Sequence, residues 1–130
     1  FEGALNITQQ INWQNWIFEP GLPTTVNDFT STLSDDCDAY LTKMMNGGDM
    51  SNFNTVFTEW HEYQREYFLK LVIFEPKASE LTDEQYAVLN NTLNLGEGWN
   101  SEISYMFFTI MLLNKKTDDA SLAMLEKFLA

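Results

Sequence analysis

Large apolar residues recur every three or four positions along most of this chain, in runs separated by glycines, prolines or helix-capping residues. That spacing brings the apolar side chains of each run onto one face of an α-helix. No alternating run of convincing length predicts a β-strand, so the sequence predicts an all-α fold. The stripes consist of Phe29, Leu33, Cys37, Tyr40, Leu41 and Met44; Trp60, Tyr63, Tyr67, Leu71 and Phe74; Tyr86, Leu89 and Leu93; Ile103, Met106, Phe107, Ile110 and Leu113; and Leu122, Leu125, Phe128 and Leu129.

Breaker and capping residues predict where these helices begin and end. A first helix should run from about Asn27 to Gly47-Gly48, since glycine is typical of helix C-termini. A second should run from about Glu59 to Phe74, ahead of a proline. Residues 53–57 should form a short connecting turn. The other signals are a capping box of Thr82 with Gln85, a hydrophobic staple of Leu81 with Tyr86, a stop at Gly96, and caps at Asn100 and Thr117.

The arrangement of the helices can be predicted from their links and spacing. Short links between successive helices favour antiparallel pairs. The pairs beginning near Glu59 and Ser101 are offset by about 42 residues, within the range of HEAT and armadillo units. Residues 27–130 should therefore form paired antiparallel helices in an armadillo- or HEAT-like right-handed superhelix. The helix from Ser101 is predicted to be buried nearly all round, because Phe108, Met111 and Leu112 add apolar residues outside its main stripe.

Residues 1–26 differ from the rest of the chain, since they combine clustered aromatic residues with prolines. Trp13, Trp16 and Ile17 stand at helical spacing and predict a short helix, which Pro20 brings to an end. The segment should be an entry strap lying over another surface, because Trp13, Trp16 and Phe18 need something to cover them.

Charge and cysteine content limit the possible partners and compartment. Nineteen acidic residues against seven basic ones give a net charge of −12. This charge repels phosphate backbones and anionic lipid, so neither nucleic acid nor a membrane is an expected partner. It favours either simple solubility or a basic partner surface. The lone Cys37 excludes an internal disulfide, and no apolar run reaches the roughly 18 residues of a membrane span, so a cytoplasmic protein is expected.

One motif approaches a zinc site. The residues His61-Glu62-Tyr63-Gln64-Arg65 resemble His-Glu-x-x-His, in which the two histidines hold the metal and the glutamate activates a water. Here the second ligand position is Arg65, a permanent cation, and His61 is the only histidine in the chain. We therefore expect a solvated helix face, in which neighbouring carboxylates pair with Arg65 or Lys70.

Two other features are expected to carry no chemistry. Asp35, Asp36 and Asp38 lack the alternating ligands and the glycine turn of a calcium loop, so they indicate a solvated acidic face. Cys37 lies on an apolar stripe without a neighbouring histidine, which favours a buried thiol over a nucleophile. The residues themselves thus predict no catalytic, metal-binding or cofactor-binding site.

The lead-in carries a more specific pattern. Residues 11–23 read Ile-Asn-Trp-Gln-Asn-Trp-Ile-Phe-Glu-Pro-Gly-Leu-Pro, which resembles the strap entering the C-terminal domain of leukotriene-A4 hydrolase and aminopeptidase B. In that family an aliphatic residue, a polar residue and two spaced tryptophans precede Pro-Gly-Leu-Pro. Residues 62–69 resemble a helix of aminopeptidase B with Tyr-Gln followed by Tyr-Phe-Leu. Asn100-Ser101-Glu102-Ile103 resembles the opening of a later helix in the hydrolase.

The resemblance implies the armadillo-like C-terminal domain of a cytosolic zinc aminopeptidase, which forms one wall of the active-site cleft. The parent enzyme would release N-terminal residues from peptides, and possible epoxide hydrolysis is left open. Its zinc ligands and general base would lie in the preceding catalytic domain. No catalytic, metal or substrate residue is therefore assigned here, and neither Lys116 nor Lys127 stands where the family binds the substrate's carboxylate. The expected partners are the parent's peptide substrate and its catalytic domain, onto which Trp13, Trp16, Phe18 and Leu22 would dock.

Both ends of the chain suggest a segment of a longer protein, because it opens with Phe1 and its last apolar stripe continues to Leu129. The segment alone is expected to be inactive. A different interpretation is a stand-alone acidic helical module that binds other proteins, and a third is a family member that has lost its activity. A His-Glu-x-x-His helix encoded upstream would favour the aminopeptidase, whereas a start codon directly before Phe1 would favour the module.

Overall fold

The computed structural model of this protein describes residues 11, 13–18, 20 and 31–130. All regular structure in these residues is helical, which confirms the all-α prediction for them. None of the described helices is both long and apolar enough to cross a bilayer. In chain order the helices are α1 (Trp13–Ile17), α2 (Thr32–Met45), α3 (Phe53–Glu59), α4 (Glu62–Phe74), α5 (Asp83–Ala87) with a π-helical continuation (Val88–Thr92), α6 (Ser101–Leu113) and α7 (Asp119–Leu129).

Helix α2 begins at Thr32, later than the predicted start near Asn27. Ser31 caps it by accepting a hydrogen bond from the Ser34 N–H, while the Ser34 hydroxyl accepts one from the Ser31 N–H, both at 3.3 Å. This reciprocal pair satisfies two amides at the helix start, which fixes the boundary. Phe29, predicted on the same stripe, lies outside the described residues. The predicted end of α2 at the glycines is confirmed, because Gly47, just after the helix, has the left-handed φ of +69° that is common at this position.

The predicted connecting turn at residues 53–57 is instead helix α3. Phe53 and Phe57 stand four residues apart and are both fully buried, so a helical turn places both rings in the core. Helix α4 then begins at Glu62 and not near Glu59. The reason is that Trp60 and His61 have extended backbones, with ψ of 148° and 154°, which separate the two helices.

The buried face of α4 was predicted incorrectly. Trp60, the first residue of the predicted stripe, is buried as expected, but Tyr63, Tyr67 and Phe74 are exposed and Leu71 is only partly buried. The residues that enter the core are Gln64, Phe68, Leu69 and Val72. Helix α4 carries apolar residues on nearly all sides, so periodicity alone could not select the face that its neighbours cover.

The capping box that opens α5 is confirmed. Gln85 N–H donates to the Thr82 hydroxyl at 3.2 Å, and Thr82 N–H donates to the Gln85 side-chain oxygen at 2.8 Å. Leu81 and Tyr86, the two staple positions, are both buried. The helical segment ends at Thr92, before the predicted stop at Gly96, and Asn94 turns the chain with a φ of +49°.

Helix α6 begins as predicted, since the Asn100 side chain accepts a hydrogen bond from the Ile103 N–H at 2.9 Å. It is largely buried but not all round, because Tyr105, Leu112 and Leu113 are exposed. Its neighbour α7 is capped by Asp118 rather than by Thr117.

The predicted stripe of α7 is likewise only partly correct. Leu125 and Phe128 pack against the core, together with Met124, whereas Leu122 and Leu129 are exposed. The side of α7 that faces the core is therefore rotated about the helix axis relative to the predicted side.

The core is built around a cluster of aromatic rings between α2, α3 and α4. Phe53 is its centre, with ring centroids of Tyr40 at 4.7 Å, Phe68 at 5.1 Å and Trp60 at 5.5 Å. Stacked and edge-to-face contacts of this kind stabilise beyond simple burial. Helix α4 packs against α2 on one side and α6 on the other, and α6 packs against α7. The row α2, α4, α6 and α7 thus places α4 at the centre of the domain.

Candidate functional site

The predicted docking residues of the strap are only partly described. Trp13 in α1 is 50% exposed, and Phe18, directly after this helix, is 68% exposed. The structure describes only the backbone of Trp16, which lies within α1, and Leu22 lies outside the described residues. The short helix predicted for the strap is present. Docking through the four residues stays a prediction.

The His61–Arg65 segment has a structural role that its resemblance to the zinc-binding motif did not predict. His61 precedes α4, and its backbone N–H donates to the Gln64 side-chain oxygen at 3.2 Å. The amide nitrogen of the buried Gln64 donates to the Leu33 carbonyl at 3.2 Å, which ties the start of α4 to α2. Among the described residues, no three His, Cys, Asp or Glu side chains form a group able to hold a metal ion.

Of the two cations predicted to pair with carboxylates, Arg65 binds backbone carbonyls instead, and no carboxylate among the described residues forms an ion pair with it. Its Nε donates to the Phe57 carbonyl at 2.8 Å, and its Nη2 donates to the Thr58 carbonyl at 2.7 Å. Its guanidinium also lies over the Trp99 ring, 5.3 Å from the centroid. Arg65 thus caps the negative C-terminal end of α3 and fixes it to α4. The other predicted pairing is present, because Lys70 lies 3.4 Å from Glu66.

Cys37 is a buried thiol, as predicted. Its Sγ donates to the carbonyls of Leu33 and Gln64 at 3.4 and 3.5 Å. Burial, and to a smaller extent the nearby charges of Asp38 and Asp36, raise the pKa of Cys37 to about 11. A thiol with such a pKa is protonated at neutral pH and therefore is a poor nucleophile. The three aspartates around it are exposed, consistent with a solvated acidic face.

A cleft of about 560 Å³ opens between the C-terminal end of α2 and the start of α5. Its volume falls within the range of small-molecule sites. Three methionines, Met44, Met45 and Met50, supply an apolar part of the lining, while Thr82, Glu84 and Gln85 supply polar groups. The Gln85 amide is already engaged, since it donates to the Met45 carbonyl at 3.0 Å. Flexible thioethers can adapt to apolar groups of different shapes, so the cleft suits an apolar side chain or small apolar molecule.

A second surface lies on the outer side of α4. We define the aromatic face as Tyr63, Tyr67 and Phe74 of α4 together with Leu33 of α2. Tyr63 is 83% and Phe74 is 81% exposed. A recess of about 210 Å³ lies at one end of this face, and its lining consists of Ser31, Leu33, Ser34, Tyr63, Gln64 and Tyr67. The aromatic face therefore offers exposed aromatic side chains, with Lys70 between Tyr67 and Phe74, and a place for an inserted side chain at one end.

Sequence reasoning missed this face as a surface, because it assigned the same tyrosines to the core. The available signal was that α4 has apolar residues on two opposite sides, more than one core contact can cover. Comparisons of the chain with protein families, with characterised proteins and with solved structures find no match. The resemblance to the leukotriene-A4 hydrolase family thus depends on the sequence motifs.

Proposed function

We propose that this chain is a non-catalytic helical domain of a cytoplasmic zinc aminopeptidase similar to leukotriene-A4 hydrolase, in which it forms one wall of the active-site cleft. The pattern of residues 11–23, with its two tryptophans before Pro-Gly-Leu-Pro, carries this proposal. Zinc and the peptide-cleaving groups would belong to the preceding catalytic domain. The strap residues Trp13, Trp16, Phe18 and Leu22 would dock onto that domain.

Three structural observations support the proposal. All regular structure in the described residues after the strap is helical, as the family's C-terminal domain is expected to be. The row of packed helices α2, α4, α6 and α7 is compatible with helix pairs stacked side by side, the arrangement of an armadillo- or HEAT-like right-handed superhelix. The exposed side chain of Phe18 also leaves apolar area on the strap for a partner.

The proposal is tested by the gene segment upstream of Phe1. We expect it to encode a His-Glu-x-x-His helix, and the encoded domain should co-purify with this chain when the two are expressed together. Trp13→Ser combined with Phe18→Ser should weaken that association at least about tenfold, the effect of losing one hot spot. Tyr105→Ser, which removes an exposed aromatic residue of α6, is the matched control. A start codon directly before Phe1 would refute the proposal.

A stand-alone acidic module that binds other proteins is the second candidate. The aromatic face favours it, because this face belongs to the helical domain itself and not to the strap. Under this alternative the isolated chain binds a partner without any catalytic domain. Zinc-dependent release of an N-terminal residue by the isolated chain would contradict both candidates, since each assigns the chain no chemistry of its own.

A further inference from the structure

Three large aromatic side chains share the outer side of α4. Tyr63, Tyr67 and Phe74 are separated by four and seven residues, which places them on one helical face. The opposite side of the helix carries Phe68 and Val72, which are fully buried. Single exposed apolar residues are ordinary on protein surfaces, but three aromatic residues on one side of a helix indicate an interaction site. We infer that the aromatic face binds a basic amphipathic helical segment of a partner protein, with one apolar side chain of that segment inserted in the recess.

The charge of the domain argues for a basic partner. Only three of the sixteen described carboxylates form ion pairs with a lysine, namely Glu66, Asp83 and Glu97. Most of the domain's cations are already engaged. Besides the three paired lysines, Lys43 lies over the Tyr40 ring and Arg65 binds backbone carbonyls. A basic partner would therefore be electrostatically complementary to the unpaired carboxylates of this surface.

Acidic groups also lie close to the recess itself. Ser34 lines the recess, and the exposed Asp38 follows it by one helical turn on the same side of α2. Glu62 is adjacent to Tyr63 and is exposed, with its carboxylate accepting a hydrogen bond from the Asn100 side chain. A lysine or arginine of the bound segment can pair with Asp38 or lie over an exposed ring of the aromatic face.

The same charge excludes other occupants of this face. A second copy would bring two domains of net charge −12 together, and the repulsion opposes self-association. Anionic lipid and nucleic acid are repelled for the same reason. An extended segment could add to a sheet edge, but the described residues form no sheet. A helix laid along the stripe, with anchors three or four residues apart, matches the geometry of α4.

The inference can be tested on the whole 130-residue chain with a designed probe. The probe is a fluorescein-labelled helical peptide with leucines on one face and lysines on the other, measured by fluorescence anisotropy at physiological ionic strength. A peptide of the same composition with its leucines scattered, and a twin with glutamate in place of lysine, are the controls. We expect the amphipathic lysine peptide to bind at least about tenfold more tightly than either control.

Variants of the chain locate the binding site. Tyr63→Ser combined with Tyr67→Ser should weaken binding at least about tenfold, the effect expected for truncating central aromatic anchors. Tyr105→Ser should leave the affinity within about twofold, although Tyr105 is 61% exposed. Asp38→Asn should weaken binding and reduce its dependence on salt, whereas Glu126→Gln should do neither. Circular dichroism verifies that each variant keeps its helices.

Several outcomes would overturn the inference. One is unchanged peptide binding by the double tyrosine variant, and another is a loss of binding with Tyr105→Ser as large as that of the double variant. A third is equal binding of the amphipathic peptide and the peptide with scattered leucines, which would show attraction by net charge alone. Binding of phosphatidylserine vesicles through Tyr63 and Tyr67 would replace the partner helix by a membrane. The inference is independent of the aminopeptidase proposal, and it gives the second candidate a partner of stated chemistry. Trp13→Ser with Phe18→Ser should leave peptide binding unchanged while weakening association with an upstream catalytic domain, so failure of either idea is recognisable separately.

Discussion

The two sides of helix α4 carry similar residues in very different surroundings. The inner side places Phe68, Leu69 and Val72 in the core without exposed surface, whereas the outer side leaves Tyr63 and Phe74 more than four-fifths exposed. Polarity does not separate the two sides, since Gln64 and Arg65 lie towards the core. Each of these polar residues has backbone carbonyls of neighbouring elements as partners. The comparison shows that available neighbours, rather than hydrophobicity alone, decide which side of such a helix is covered.

The largest expected effect is on the inner side. Phe68→Ala should lower the free energy of unfolding by about 3–5 kcal/mol, because it leaves a cavity among closely packed rings. Phe68 lies 5.1 Å from Phe53 and 5.8 Å from Trp60 between ring centroids, so no single neighbour can fill the space. Urea unfolding followed by tryptophan fluorescence measures the change. A loss below about 1 kcal/mol would mean that the cluster is not the packed centre of the core.

A smaller loss is expected from the polar inner residue Arg65. Arg65→Met keeps the aliphatic stem but removes the hydrogen bonds to the Phe57 and Thr58 carbonyls, and should cost about 2–3 kcal/mol. Lys70→Met is the control, since it removes an exposed ion pair with Glu66 that contributes about 0–0.5 kcal/mol. Equal effects of the two substitutions in the same urea experiment would show that Arg65 is only a surface charge.

Local signals made much of the fold predictable. The Thr82 capping box, the Asn100 cap and the glycine end of α2 each depend on residues within a few positions, and all three are present. Errors arose where non-local packing decides. Residues 53–57 were predicted as a turn, but burial of Phe53 and Phe57 makes them helical. The buried face of α4 could not be predicted either, because it is determined by packing against two other helices, α2 and α6.

The candidate sites were less predictable than the fold. The role of Arg65 requires the carbonyl end of α3, a helix that the sequence pattern did not indicate. The methionine-lined cleft joins residues of α2 with residues of α5, and these are far apart in the chain. The burial of the Cys37 thiol, in contrast, was predictable, because Tyr40, Leu41 and Met44 of its stripe also pack in the core, although Leu33 of the same stripe is exposed.

A small gain in stability is expected at an inner aromatic residue that carries a polar group. The Tyr86 hydroxyl is buried, and no described group forms a hydrogen bond with it. Burial, with a smaller contribution from Asp118, raises the pKa of Tyr86 to about 12, so the hydroxyl stays protonated at neutral pH. Tyr86→Phe should therefore raise the free energy of unfolding by about 1 kcal/mol. Thermal and urea unfolding measure it, with the exposed Tyr105→Phe as the unchanged control. A loss of stability would reveal a partner for the hydroxyl.

The outer side of α4 should give the smallest effect on stability. Tyr63→Ala and Phe74→Ala remove side chains that are 83% and 81% exposed, so each should change the free energy of unfolding by no more than about 0.5 kcal/mol. Alanine also favours the helix more than tyrosine or phenylalanine does, which offsets part of any lost contact. Urea unfolding of these two variants and of Phe68→Ala under the same conditions compares the two sides of α4 directly. A loss above about 1 kcal/mol at Tyr63 would mean that another part of this chain covers the aromatic face in solution. A change near zero, together with weakened binding of the basic peptide, would mean that the residues serve a partner rather than the fold.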